Sequence, residues 1–252
     1  MEAVLYICHG SRLKKAQAEA AAFVHQCMLE NSYRIQEYGF LELASPSIEQ
    51  AYRNCVEKGA TKIIAVPVLL LSAGHAKHDI PFELETLNKL FPETEVVLGN
   101  PIGVHPAISD VLIERINETH THISEDTMIL LVGRGSSDPD IKRDLYKIAS
   151  QLQGKSGISK VETSFLVGTS PSFEDGLEKA INSSYNKIIV VPYILFTGIL
   201  MGKIAKTIQL YSKDNRKEVI LSNYLGYHPI LKNILLDRVK EANRKIAHVR
   251  MC

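Results

Sequence analysis

The chain has 252 residues, 45% hydrophobic and 23% charged, with a formal net charge of +1. These values belong to an ordinary soluble globular protein and leave no electrostatic case for binding nucleic acid or an anionic membrane surface. The opening MEAVLYICHGS lacks a basic segment followed by a long apolar one, so it does not read as a signal peptide. The longest apolar run, Ile63–Leu71 interrupted by Pro67, is too short to span a bilayer. Cys8, Cys27, Cys55 and Cys252 show neither CxxC spacing nor the density of a disulfide framework, and are read as inert free thiols of a cytoplasmic protein.

In chain order, Val4–Cys8 is a short apolar strand ending in the turn His9-Gly10-Ser11. Lys14–Glu30 carries Ala and Leu at helical spacing, and residues 34–43 form a second strand. Ser45-Pro46-Ser47 starts a helix, with Ser45 expected as N-cap and Pro46 in its first turn, and Gly59 ends it. Ile63–Leu71 reads as a fully buried strand, Ala76–Phe91 as a helix, Glu95–Gly99 as a fourth strand, and His105-Pro106 as the opening of a last helix.

From here the sequence repeats itself. At an offset of 125 residues, AVLYICHGS (3–11) falls on MILLVGRGS (128–136), FLELASPSIEQAY (40–52) on FLVGTSPSFEDGL (165–177), and KIIAVPVLL (62–70) on KIIVVPYIL (187–195). With two residues deleted, VVLGNPIGVHP (96–106) falls on VILSNYLGYHP (219–229). Four anchors in one order mean a duplicated unit, expected to divide the chain into homologous halves, 1–123 and 124–252. Apolar strands alternating with helices predict an α/β fold in each half: a flavodoxin-like or Rossmann-like parallel sheet covered by helices on both faces. The helix of residues 105–120 could pack on either half.

Ligands of such sheets bind beyond the carboxyl ends of the strands, where strand order reverses. For order 2-1-3-4 that point lies between the first and third strands. In the first half His9 follows the first strand, Glu42 closes the second and His75 comes just after the third. With neighbouring strands about 4.8 Å apart, the three side chains can reach one ion. The same positions in the second half hold Arg134, Val167 and Leu200, and seven of the nine histidines lie in the first half. A purely structural role for His9 and His75 would have less reason to be one-sided. Two imidazoles and a carboxylate suit Fe²⁺, Co²⁺ or Ni²⁺, and also suit proton acceptance near neutral pH.

Other histidines read as structural. His78 shares a face with His75 and is expected to be solvated, and His105 and His228 recur as GxHP in both halves, which a helix-start role explains. Two rival functions place residues similarly. A phosphotransfer enzyme with a nucleophilic histidine would want arginine before it, where Cys8 stands. A two-lobed small-ligand binding protein would leave the one-sided His/Glu set unexplained.

The segments HGSR (9–12), FLELASPSI (40–48), VPVLLLSAGHAKHDIP (66–81) and the GxHP at 103–106 resemble the class II tetrapyrrole chelatases, in particular the long two-half type comprising sirohydrochlorin ferrochelatases and cobaltochelatases. The resemblance covers nearly the whole chain. It implies the class II chelatase fold, metal insertion into sirohydrochlorin with loss of two protons, and no organic cofactor. It places the family's active-site histidines on His9 and His75 and its metal-site glutamate on Glu42, as catalytic and metal-holding residues. Some cobalt-inserting relatives carry a histidine-rich tail or a CxxC motif near the C-terminus. This chain ends KIAHVRMC without either, which favours Fe²⁺ over Co²⁺ or Ni²⁺. The carboxylates of such a substrate call for cations, for which Arg12, Lys77, Arg134 and Lys203 are candidates, and the Gly135-Ser136-Ser137 turn would offer N–H groups if it caps a helix. A monomer or weak homodimer is expected, acting on a small molecule and a divalent metal.

Overall fold

A computed structural model describes residues 1–211 and 217–249, with side chains of the last helix described as far as Arg244. Cys252 lies outside the described residues. Cys8, Cys27 and Cys55 are buried free thiols.

The elements run β1 (Glu2–Cys8), α1 (Lys14–Glu30), β2 (Ile35–Phe40), α2 (Ile48–Glu57), β3 (Lys62–Val68), a π-helical turn (His75–Asp79), α3 (Ile80–Leu90), β4 (Glu95–Leu98) and α4 (Ile108–Asn117). The pattern then recurs as β5 (Thr127–Gly133), α5 (Pro139–Ser156), β6 (Lys160–Phe165), α6 (Phe173–Ile181), β7 (Lys187–Tyr193), α7 (Ile199–Tyr211), β8 (Glu218–Leu221) and α8 (Pro229–Val249). The strands form two parallel four-stranded sheets of order β2-β1-β3-β4 and β6-β5-β7-β8, the expected order in both copies. The central strands β1 and β5 are apolar and buried almost throughout because helices cover both faces. Pro67 and Pro192 fit in the middle strands because β4 and β8 pair only as far as Ala65 and Val190, so neither proline faces an edge-strand partner.

The chain forms two compact units that depart from the repeat boundary: residues 1–103 with 229–252, and residues 104–228. Residues 104–123, expected with the first half, belong to the second unit, and residues 229–252, expected with the second half, belong to the first. In the first unit α1 packs with α8, while α2 packs with α3 over a core that includes Leu5, Ile7, Tyr52, Ile63 and Leu84. In the second unit α4 packs with α5, and α6 with α7 over Leu130, Val132, Phe173, Leu177 and Ile188. Each incoming helix is pinned by an equivalent arginine. Arg238 of α8 donates to Pro101 O (2.9 Å) and Ile102 O (2.7 Å) within the first unit, and Arg115 of α4 donates twice to Leu225 O within the second.

The start of α2 differs from expectation. The N-cap of α2 is Ser47, not Ser45, and Pro46 precedes the helix. Phe40 N donates to Pro46 O (2.8 Å) and Phe40 bridges to Ser47, so this segment is held against the end of β2 and the helix starts later than expected, with Ser47 in place of Ser45 as its cap. Ser45-Pro46 and its counterpart Ser170-Pro171 are both cis. His105-Pro106, expected to open a helix, lies in the turn just before α4, whose N-cap is Ala107, and His105 Nδ1 accepts from Ala107 N at 3.2 Å. Among the described residues no helix is long and apolar enough to cross a membrane.

Candidate metal centre

The β1–β2 ladder continues past the strands, with Leu41 N donating to Cys8 O (2.8 Å) and Glu42 N to His9 O (3.1 Å). This sets His9 beside Glu42. The chain then turns at Gly10, φ +96°, where a Cβ would stand 1.8 Å from Glu42 O, so only glycine allows this approach. The second unit keeps the frame: Val167 N donates to Arg134 O, and a Cβ on Gly135 would stand 2.0 Å from Val167 O.

On the other side of β1, the segment after β3 leads into the π-helical turn that carries His75. A regular helix was expected from Ala76. Ile80 N instead bonds back to His75 O, and Pro81 has no N–H with which to continue an ordinary ladder to Lys77.

His9, Glu42 and His75 each offer a ligand atom, and these atoms all lie within 4.8 Å of one another. First-row ions with bonds of about 2.1 Å span up to about 4.2 Å between ligand atoms, so small side-chain rotations close this set on one ion. The two imidazoles meet edge to face, with centroids 4.6 Å apart and planes at 88°. His9 Nδ1 lies 3.7 Å from Glu42 Oε1 and 3.1 Å from Gly10 O. His75 Nδ1 lies 2.7 Å from Asp79 Oδ2. A carbonyl and a carboxylate only accept, so both contacts favour the tautomer with its proton on Nδ1 and leave Nε2 as the donor atom for a metal. Glu42 is exposed and the histidines are half-buried, with the His9 Nε2 atom itself buried. Cys8 contributes no thiolate beside it, because burial pushes its pKa up to about 12.

The duplicated frame carries this cluster once, and the family comparison follows the same duplication. The CbiX family model matches residues 3–119 and again 128–242. The chain belongs to the CbiX family.

Among relatives of this CbiX protein, a sirohydrochlorin ferrochelatase from Priestia megaterium is 51% identical over 240 residues, 95% of this chain and 90% of the relative. Among solved structures, SirB from Bacillus subtilis with Fe³⁺ superposes with a TM-score of 0.89 at 40% identity, covering 96% of this chain and 95% of SirB. The sirohydrochlorin chelatase SirB from Bacillus subtilis subspecies spizizenii, in complex with cobalt, superposes with a TM-score of 0.84 at 40% identity, covering 96% and 94%.

The candidate cations of the CbiX chain are differently placed. Arg12 is exposed on the loop after β1, and Lys77 is half-buried in the π-helical turn with its N–H on Ala73 O. Arg134 is exposed at the end of β5. Lys203, on α7, already donates to Leu166 O (3.2 Å) and pairs with Glu174 (3.3 Å). The Gly135-Ser136-Ser137 turn does not cap α5. Asp138 does, and Ser136 N is taken by Thr169 Oγ1 at 3.0 Å. His78 is exposed, as expected. His228 does more than start a helix: it is buried, with Nε2 2.7 Å from Glu114 Oε2. Asp79 is the residue that sequence reasoning passed over. Its i+4 spacing from His75, with Ile204 at the corresponding position of the repeat, was the available signal.

Proposed function

We propose that this CbiX-family chain is a sirohydrochlorin ferrochelatase, a lyase-class metal chelatase that inserts Fe²⁺ into sirohydrochlorin and releases two protons. The observation that carries the reading is the His9–Glu42–His75 cluster, present in one copy of a duplicated frame and replaced by Arg134, Val167 and Leu200 in the other. Three ligands leave an ion open to exchange, whereas a closed four-ligand cage would trap it. The imidazole Nε2 atoms and the Glu42 carboxylate hold Fe²⁺ and accept the pyrrole protons as the metal passes on. Both metal and tetrapyrrole are substrates, and no organic cofactor takes part. Arg12 and Lys77, on the segments flanking the cluster, meet substrate carboxylates. The chain acts in the cytoplasm as a monomer or weak homodimer.

The ligand set also accepts Co²⁺, and a SirB relative is described with cobalt, so cobalt insertion is the second reading. The test is anaerobic loss of the sirohydrochlorin absorption spectrum on adding Fe²⁺, with Co²⁺ in competition. His9→Ala and His75→Ala are expected to lower kcat by on the order of 10²-fold or more. Near-wild-type turnover in both variants would reject the site. No acceleration over the uncatalysed rate by folded protein would reject the function, and a clear preference for Co²⁺ would reject iron.

A further inference from the structure

The two copies meet the same backbone requirements with different residues. Immediately after Glu42 the chain adopts a left-handed conformation at Leu43, φ +60°. The repeat position is Gly168, φ +62°. Glycine suits this conformation and a residue with a Cβ does not. A second difference lies at the start of the first helix. Leu13 stands at the N-cap of α1 with no side-chain hydrogen bond, whereas its counterpart Asp138 accepts from Asp140 N at 2.9 Å.

At both positions the second unit holds the residue that local folding prefers, and the unit with the metal cluster holds leucine. Burial does not compensate, since Leu13 is 41% and Leu43 48% exposed. A strained or uncapped residue that also leaves apolar surface in water gains nothing from the fold alone. Both leucines sit on the loops that carry ligands, Leu43 directly after Glu42 and Leu13 in the turn that follows His9. Gln17 braces the two loops together, donating from Nε2 to Ser11 O at 2.6 Å and reaching Leu43 O at 3.4 Å.

We infer that Leu13 and Leu43 form an apolar ledge beside the metal cluster that receives a face of the tetrapyrrole ring, and so select a flat conjugated substrate. The inference rests on the chelatase reading. The occupant follows from chemistry: a macrocycle delivering its central nitrogens to an ion at His9, Glu42 and His75 brings an extended apolar face against the adjoining loops. A hydrated ion or an oxyanion makes no use of such a surface.

The test uses Leu13→Ser and Leu43→Gly, singly and combined, with Leu29→Ser as control at an 86% exposed leucine of α1. Thermal midpoint, Co²⁺ affinity, anisotropy-detected binding of metal-free sirohydrochlorin, and steady-state iron insertion are measured. The double variant should melt at or above the wild-type temperature and bind Co²⁺ unchanged. Its Kd and KM for sirohydrochlorin should rise at least tenfold, with the control unaffected. Unchanged Kd and KM in the double variant of an active enzyme would overturn the ledge and leave the chelatase reading standing. A lowered melting temperature for Leu43→Gly would remove the premise that leucine is held there against local preference. A wild-type protein that inserts neither metal overturns both readings.

Discussion

His75 serves as a ligand from one of its two neutral tautomers, and the residue that selects it is Asp79. At 2.7 Å the carboxylate accepts a hydrogen bond from Nδ1–H and so leaves the Nε2 lone pair for a metal. This is a carboxylate–histidine pairing of the kind that typically alters metal affinity by about 10–100-fold when broken. Asp79→Ala should weaken Co²⁺ binding on that scale and mix the His75 tautomers in ¹H–¹⁵N correlation spectra. Asp79→Asn, whose amide oxygen still accepts, should restore most of both. Equal loss in the two variants would assign the effect to charge instead of tautomer. The thiols behave in the opposite sense. Burial raises Cys8, Cys27 and Cys55 to about 12, so all three stay protonated through neutral pH, and iodoacetamide at pH 8 should label them only after unfolding. Peptide mapping would show it, and labelling of native Cys8 would contradict its burial. At this scale the sequence was readable where the repeat could be compared with itself. His9, Glu42 and His75 stood out because their counterparts are Arg134, Val167 and Leu200, and Asp79 would have stood out against Ile204 by the same comparison.

Among the elements, α2 shows why helix ends are harder to read than helix existence. Ser45 and Ser47 are both good N-caps and Pro46 suits a first turn, so composition favours the earlier start. The decision is tertiary: Pro46 O is used by Phe40 N, and Ser47 closes a capping box with Gln50, bonding in both directions. Ser47→Ala should lower stability by about 1 kcal/mol in a denaturant titration, while Ser45→Ala should leave the midpoint close to wild type. The reverse ranking would return the cap to Ser45. The repeat supports the later start, because Ser172 accepts from Asp175 N at 3.1 Å. The π-helical turn at His75 escaped the periodicity argument for a related reason: five residues are too few to separate a wide turn from an α-helix, and Pro81 was the one local sign of it.

The whole molecule is less simply divided than its repeat. The duplication was plain in the sequence, and so was the order of each sheet, but where α4 and α8 pack was not. Their apolar faces and their anchoring arginines, Arg115 and Arg238, are equivalent, so either assignment satisfies the same pattern. In the folded chain α8 completes the first unit, bringing Ala242 against Gly99 and burying Leu235 and Val239. A chain stopped after His228 retains His9, Glu42 and His75 yet lacks the helix that covers β3 and β4, and it should lose Co²⁺ affinity together with the first unit's thermal transition. Full affinity in that truncated chain would show that α8 is dispensable to the site. The second unit, 104–228, is continuous, whereas the first is assembled from two separated stretches. This imposes an order during synthesis. As the polypeptide leaves the ribosome, everything needed for the unit without the metal cluster has been made by residue 228, while the earlier-made unit still waits for α8. The stretch translated first is therefore the one completed last, and the imidazoles and carboxylate acquire their supporting fold only after the other half of the chain has been made.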